Sequence, residues 1–372
     1  MNSTNRTMQI VVKVSKFCNL RCRYCYEYPE LGNRAAMSRA QVSAMYRTLR
    51  DHLDVVDARD GLATGLHFVW HGGEPLMQPA EFYWQTWADQ REIFGERIPV
   101  RNSVQTNLVL LDDERRRLLL HGFDSVGVSL DVIGGLRVNL AGRDSQRRVT
   151  GNLDRLVADG GRVGCISVLT AQNIQAVDEL FRFFEARRLH FRVLPLFDTG
   201  EPGQTTPFEI DREQELFALA RLFELWLASD LMQRPPAPLD GYVEIAARYL
   251  SAAPGPEYQD RRAWLPVVLV DTDGSCYTYG EPYGDADWSI GNIFTDSVAD
   301  MLSGPVFERC AVQAERRVAL NCLPCPFFDA CGGTLLAETE SCERDEDGAG
   351  TMLCSGRPVI AYIAERLHET EL

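Results

Sequence analysis

The chain has 372 residues, 45% of them hydrophobic and 24% charged. That mix excludes a disordered chain and supplies enough apolar material for a sizeable core. Lys and Arg total 38 against 53 Asp and Glu, a formal net charge of −15, which argues against nonspecific binding to nucleic acid or to anionic membranes.

Met1 to Gln9 is polar and lacks the apolar core of a signal peptide. No stretch approaches the roughly 20 apolar residues of a membrane span. A cytoplasmic enzyme with no nucleic-acid or membrane partner is expected. In chain order, the pattern predicts strands at Met8–Val14, Leu66–Trp70, Val100–Gln105, Asp124–Leu130, Arg162–Leu169 and His190–Leu196. Helices are predicted between and after them at Ser38–Leu53, with Ser38 as N-cap, and at Pro79–Phe94, Asp112–Leu120, Arg147–Ala158 and Asn173–Arg188. This α/β alternation implies a parallel sheet with helices outside it, either doubly wound or a partial TIM-type barrel short of the usual eight units. Two further helices, Asp211–Asp230 and Leu239–Ala252, follow a Gly/Pro/Thr-rich break. A hairpin is predicted from Trp264–Val270 and Cys276–Tyr279 around the turn Asp271–Ser275, then a short helix at Ser297–Leu302. The expected division is residues 1–205 as the β/α domain, 206–262 as a helical linker region, and 263–372 as a cysteine-rich domain with little aliphatic core of its own, held by metal sites.

In such sheets the chemistry sits at the C-terminal ends of strands. Four polar runs fall there: the cysteines after the first strand, His71–Glu74, Gln105–Asn107 and Ser129–Asp131. The chain has 11 cysteines, unevenly placed. With no export signal, they read as metal ligands or catalytic groups rather than disulfides. Cys18-Asn-Leu-Arg-Cys22-Arg-Tyr-Cys25 puts three thiols on one short loop. Three thiolates can hold three irons of a 4Fe–4S cube and leave the fourth iron open. Zinc is the alternative, with His67 or His71 as a fourth ligand. Cys165 reads as a buried core thiol.

The run Cys18, Cys22, Cys25 resembles the signature of the radical S-adenosylmethionine (SAM) superfamily, and Trp70-His-Gly-Gly-Glu-Pro75 resembles its GGE motif. The resemblance implies a partial (β/α)6 barrel in which the open iron chelates the amino and carboxylate groups of SAM. It places Tyr24 near the adenine, Gly72 and Gly73 beside the methionyl amine, and Glu74 on that amine. Val126-Gly-Val-Ser-Leu-Asp131 resembles the fourth-strand motif, whose serine, here Ser129, contacts the SAM carboxylate. Gly142-Arg143-Asp144-Ser145 resembles the next segment, whose arginine, here Arg143, pairs with that carboxylate. Pro195-Leu-Phe197 resembles the strand end whose backbone, here at Leu196, touches adenine.

The later cysteines are Cys276, Cys310, Cys322, Cys325, Cys331, Cys342 and Cys354. Cys322-Leu-Pro-Cys325 with Cys331 and Gly332-Gly333 resembles a SPASM domain, which implies two auxiliary 4Fe–4S clusters and three clusters in all. Cys276 and Gly291 fit the start of its pattern. The next expected cysteine falls on Asp296, and another falls on Leu335, so the seven thiols do not divide cleanly between two clusters. A zinc ribbon is the alternative.

The resemblance implies that one electron cleaves SAM and that the 5′-deoxyadenosyl radical takes a hydrogen from an unactivated carbon of a ribosomally made precursor peptide. A side-chain crosslink of the cyclophane type is the favoured product. A flavodoxin- or ferredoxin-type electron donor is a further expectation. No leader-recognition domain fits ahead of the first strand, so leader binding is expected at the Asp211–Ala252 helices, on the sheet surface or on a separate leader-recognition protein. An anaerobic sulfatase-maturating enzyme is the first alternative. In that group an aspartate after the cysteine matching Cys276 acts as base, whereas here Tyr277 follows, a poor base at neutral pH. A non-catalytic iron–sulfur or zinc scaffold that binds a peptide is the second. No catalytic acid or base is identified.

Overall fold

The computed structural model of the protein describes residues 5–196, 206–333, 345–346 and 352–370. In its first half, strands alternate with helices: β1 (Asn5–Ser15), β2 (Leu20–Cys22), α1 (Arg39–Asp60), β3 (Ala63–Gly72), α2 (Ala80–Phe94), β4 (Val100–Thr106), α3 (Asp113–His121), β5 (Ser125–Ser129), β6 (Arg137–Asn139), α4 (Gln146–Ala158), β7 (Val163–Leu169), α5 (Val177–Ala186) and β8 (Phe191–Pro195). Then come α6 (Arg212–Leu227), α7 (Leu239–Leu250), β9 (Val267–Val270), β10 (Ser275–Thr278), β11 (Gly291–Asn292), α8 (Val298–Ser303), α9 (Pro305–Arg317), α10 (Phe328–Cys331), β12 (Asp345–Glu346), β13 (Met352–Leu353) and α11 (Gly356–Thr370).

Local rules account for the helix limits. The Ser38 hydroxyl accepts from the Gln41 amide while the Gln41 side chain accepts from the Ser38 amide, and Gly61 at φ 65° closes α1 in the left-handed region. The Asp112 carboxylate caps α3 by accepting from the Arg115 amide, and the Ser297 hydroxyl caps the short α8 by accepting from the Asp300 amide.

The six strands β1, β3, β4, β5, β7 and β8 pair in parallel in that order, each followed by a helix. This is the expected partial (β/α)6 barrel. Along β3 the burial alternates strictly: Leu66, Phe68 and Trp70 are fully buried, while His67, Val69 and His71 project from the other face. The buried set packs with Tyr46 of α1 and Tyr83 of α2. The opposite face carries polar groups, including a row in which His67 Nε2 lies 2.7 Å from the Ser103 hydroxyl and that hydroxyl 2.7 Å from Ser125.

The predicted hairpin is present as β9 and β10, closed at Asp271–Ser275. Its first strand adds in parallel to β1, at Gln9 opposite Val267, so the sheet runs on to nine strands in the order β11-β10-β9-β1-β3-β4-β5-β7-β8. The C-terminal third shares the main core. Val359, Ile360 and Ile363 of α11 are buried with residues of the barrel and of α6 and α7. The aliphatic residues of α9 and α11 pack into this shared core, and the third's own cluster is limited to Ala314, Val318 and Cys322. No helix among the described residues is long and apolar enough to cross a membrane.

Candidate functional site

The loop after β1 carries Cys18, Cys22 and Cys25 over the C-terminal ends of the parallel strands. Cys22 ends β2, which pairs antiparallel with β6 and sets Cys22 opposite Arg137. The three cysteines line one cavity with His71–Glu74 from the end of β3, Gln105–Asn107 from the end of β4, Ser129 from β5, and Pro195 and Leu196 after β8. All four polar strand-end runs therefore meet at one place. Tyr24 lines it too and packs with Leu136 and Leu196.

The glycines of His71–Glu74 have a steric reason. A Cβ on Gly72, at φ 125°, would strike the Ser15 carbonyl, and one on Gly73 would strike the Lys16 carbonyl. Their absence lets the Gly73 amide donate to Ser15 O at 2.8 Å and the Glu74 amide to Phe17 O at 3.0 Å, which fixes the cysteine loop against the GGE turn. Glu74 is buried, and its carboxylate accepts from the Thr106 hydroxyl (2.7 Å), the Asn107 amide (2.8 Å) and the Leu76 amide (2.9 Å). Burial still lifts its carboxyl above the usual range.

N–H groups point at the sulfurs. The Leu20 backbone amide lies 3.4 Å from Cys18 Sγ, the Asn107 side-chain Nδ2 3.7 Å from the same atom, and Arg137 Nη1 3.9 Å from Cys22 Sγ. Such contacts tune iron–sulfur centres. Burial pushes the Cys18 thiol up to about 12 and raises Cys22 and Cys25 as well, so metal binding must expel protons.

Behind the cavity, Asp131 takes a fork from Arg137 (2.8 and 3.2 Å), the Tyr24 hydroxyl (2.5 Å) and the Val168 amide (3.0 Å). Tyr26 and Glu27 also line the cavity, and behind them Lys13, almost fully buried, donates to the Tyr26 hydroxyl at 2.6 Å and to Glu27 at 2.7 Å. It also lies 3.5 Å from His71 Nδ1, which accepts from the Gly72 amide. Burial and the Lys13 charge hold the His71 imidazole down to about 3, so it is neutral with its proton on Nε2.

Arg143 is not brought to the cavity. It is exposed, and its amide turns to the Asn139 side chain. His67 does not line the cavity either. Phe197, Leu335 and Cys342 lie outside the described residues. Sequence reasoning gave no role to Arg137, Lys13, Tyr26 or Glu27. The β2–β6 ribbon that delivers Arg137 joins residues 115 positions apart, and no local motif announces it.

At the C-terminal end, Cys322, Cys325, Cys331 and Cys354 line a second, small cavity with Phe327 and Phe328. Cys276 and Cys310 line neither, and Cys165 is buried in the main core on β7. Among the described residues, no three His, Cys, Asp or Glu side chains stand together as a site for a single metal ion.

Residues 12–184 match the family model of the Radical SAM superfamily. These residues form a radical SAM domain. The chain is similar to the serine-type anaerobic sulfatase-maturating enzyme of Bacteroides thetaiotaomicron, at 24% identity over 94% of this chain and 88% of that one. It is also similar to the cysteine-type enzyme of Clostridium perfringens, at 24% identity over 87% of each. Among solved structures, native anSMEcpe with bound AdoMet and Cp18Cys peptide aligns at a TM-score of 0.72 and 18% identity, covering 98% of this chain and 99% of that one. Streptococcus suis SuiB bound to its precursor peptide SuiA aligns at 0.54 and 14%, covering 90% and 71%. Both share the fold that carries the radical SAM domain.

Proposed function

We propose that this protein is a radical SAM maturase that modifies a ribosomally made peptide, and that its product is a crosslink between side chains. The observation that carries the reading is the single cavity in which three thiols of one loop face the Gly72-Gly73-Glu74 turn, Ser129 and Leu196. The donor set fits a 4Fe–4S cube with one open iron beside a nucleoside that bears an amino acid: sulfur ligands for three irons, a buried carboxylate for an amine, and N–H groups at two of the sulfurs. When bound, such a cluster and SAM supply a 5′-deoxyadenosyl radical that removes a hydrogen from carbon.

The chain's own residues would bind and shield. Glu74, fixed by three donors, would accept from the SAM amine. Ser129 and Arg137, which both line the cavity, would meet its carboxylate, with Arg137 taking the role that the resemblance gives Arg143. Tyr24 and Leu196 would flank the adenine. The wall built by Tyr26, Glu27 and His71 around Lys13 would face the substrate, and the strands β9 to β11 laid against β1 would help exclude water. The cysteines of residues 263–372 would hold auxiliary iron–sulfur chemistry that takes up an electron after hydrogen removal. An electron donor of flavodoxin or ferredoxin type and a separate leader-recognition protein belong to the same reading.

Formylglycine formation is the second reading, favoured by the sulfatase-maturating relatives that align over nearly the whole chain. Against it stands Tyr277, which burial and the nearby Asp271 and Asp273 keep protonated at neutral pH, so it is no base. Anaerobic incubation with SAM, reductant and a candidate precursor peptide separates the readings. A crosslink removes two hydrogens and leaves a peptide that does not react with a hydrazide. Formylglycine gives a hydrazone. Loss of 5′-deoxyadenosine formation in Glu74→Gln is expected in either case, and a wild-type protein that forms none would leave only a peptide-binding scaffold.

A further inference from the structure

Among the described residues, four of the later cysteines share a cavity and two do not. Cys276, on β10, is fully buried, and its sulfur turns to the Gly274 carbonyl at 3.5 Å. Where the SPASM pattern expects the next cysteine stands Asp296. Its carboxylate is already used to hold the turn, accepting from the Asn292 amide at 2.8 Å and from the Thr295 hydroxyl at 3.0 Å. The surrounding corner is closed by side chains. A Cβ on Gly291 would run into Met301 and Asp296, and one on Gly274 into Asn292 and the Phe294 ring. Met301, Ile290, Ile293 and Val298 are buried in the same core as Cys276. Cys310, on α9, is also fully buried in that core, beside Phe307 in sequence register on the helix. A 4Fe–4S cube needs several thiolates converging on a space larger than a side chain. This corner offers a packed methionine and a turn-capping aspartate in their place.

We propose that the chain carries a single auxiliary cluster, on Cys322, Cys325, Cys331 and Cys354, and that the second auxiliary site implied by the resemblance has been replaced by protein core. Cys276 and Cys310 are then small buried side chains rather than ligands. Two clusters are present in all, not three. The auxiliary cluster has a thiolate for each iron, so it passes electrons and cannot ligate the substrate. Substrate positioning is left to protein side chains at the first cavity. The inference rests on reading these cysteines as iron–sulfur ligands, and not on which bond the enzyme makes.

Iron and acid-labile sulfide are counted on the full chain, purified and reconstituted anaerobically. Cys18, Cys22 and Cys25 are replaced together by Ala to remove the first cluster, which leaves the auxiliary iron alone. About four irons per chain are expected, the content of one cube. About eight, or none, would overturn the proposal. Adding Cys322→Ala, Cys325→Ala and Cys331→Ala to that variant should abolish the remaining iron–sulfur absorption whatever the loading. Iron–sulfur absorption that survives would place a cluster at Cys276 and Cys310 and overturn it as well. Neither readout depends on SAM cleavage or on peptide modification, so a failed enzymatic reading and a failed cluster count are distinguishable.

Discussion

Arg137 joins two functions of the first cavity, since one guanidinium forks onto buried Asp131 and also points an N–H at Cys22. The Tyr24 hydroxyl depends on the same carboxylate. Replacing Arg137 by Met leaves Asp131 buried without its counter-charge, and such losses cost about 3–5 kcal/mol. Anaerobic urea unfolding should show a drop of that size in Arg137→Met and a smaller one in Asp131→Asn/Arg137→Met, which removes both charges. His71 gives a pH signature. Its ordinary value of 6.5 falls to about 3 in the folded protein. Between those values the unfolded chain binds one more proton than the native one, so stability falls as pH falls from 6.5 toward 3, by at most about 1.4 kcal/mol per pH unit. Above 6.5 the group contributes no slope. Asn at this position keeps an acceptor for the Gly72 amide and cannot titrate. Unfolding midpoints of His71→Asn and wild type should therefore run parallel above pH 6.5 and converge, or cross in favour of the variant, below it. The cysteine run, the Gly-Gly-Glu turn and Ser129 were legible because each is a short contiguous signal at a strand end. Arg137 and Lys13 were not, because their roles come from partners far away in the chain.

The six β/α units were legible from period-2 apolar runs alternating with capped helical stretches, and the Ser38 cap fell where predicted. The parallel seating of β9 on β1 was not, since a four-residue apolar strand does not encode its partner. Nor was α9, whose sequence Pro305-Val-Phe-Glu-Arg-Cys310 places a cysteine inside a helix that cysteine counting reads as loop. That helix is tied to the turn after β10 by a buried ion pair, Arg317 to Glu281 at 2.8 Å, with both side chains about 5% exposed or less. The pair joins two elements that carry cysteines. Removing Arg317 alone strands the buried Glu281 carboxylate, so Arg317→Met should lose about 3–5 kcal/mol, while Glu281→Leu/Arg317→Met, which leaves neither charge, should recover most of it. A thermal-denaturation cycle of the wild type, the two single variants and the double variant measures this. A double variant no more stable than the singles would show that the pair does more than cancel its own desolvation.

Among the described residues the buried apolar side chains form one large core and four small clusters, and the cysteines of the two cavities lie in or beside the small ones as well as against the core. Ala314, Val318 and Cys322 form one of the small clusters, with Tyr258, Phe328 and Cys354 packed against it. Of residues 318–333 only Phe327 and Ala330 are buried in the large core, so burial alone holds this segment weakly, and a metal cluster that binds only the folded arrangement adds its binding free energy to local stability. The segment from α9 through α10 is flanked by elements seated in the main core: β9 and β10 on one side and α11 on the other. Iron removal should then loosen the middle of this region and spare both flanks. Hydrogen exchange read by mass spectrometry, comparing reconstituted and iron-free protein under argon, should show faster exchange at 318–333. Peptides from β1, β3, β4 and α11 should exchange at unchanged rates. The loop 16–31 should also speed up, because Cys18, Cys22 and Leu31 form their own small cluster beside Cys25. Exchange that rises evenly over the whole sheet would mean that the clusters hold the barrel itself, and unchanged exchange at 318–333 would mean that the four thiols there lie on a frame already stable without iron.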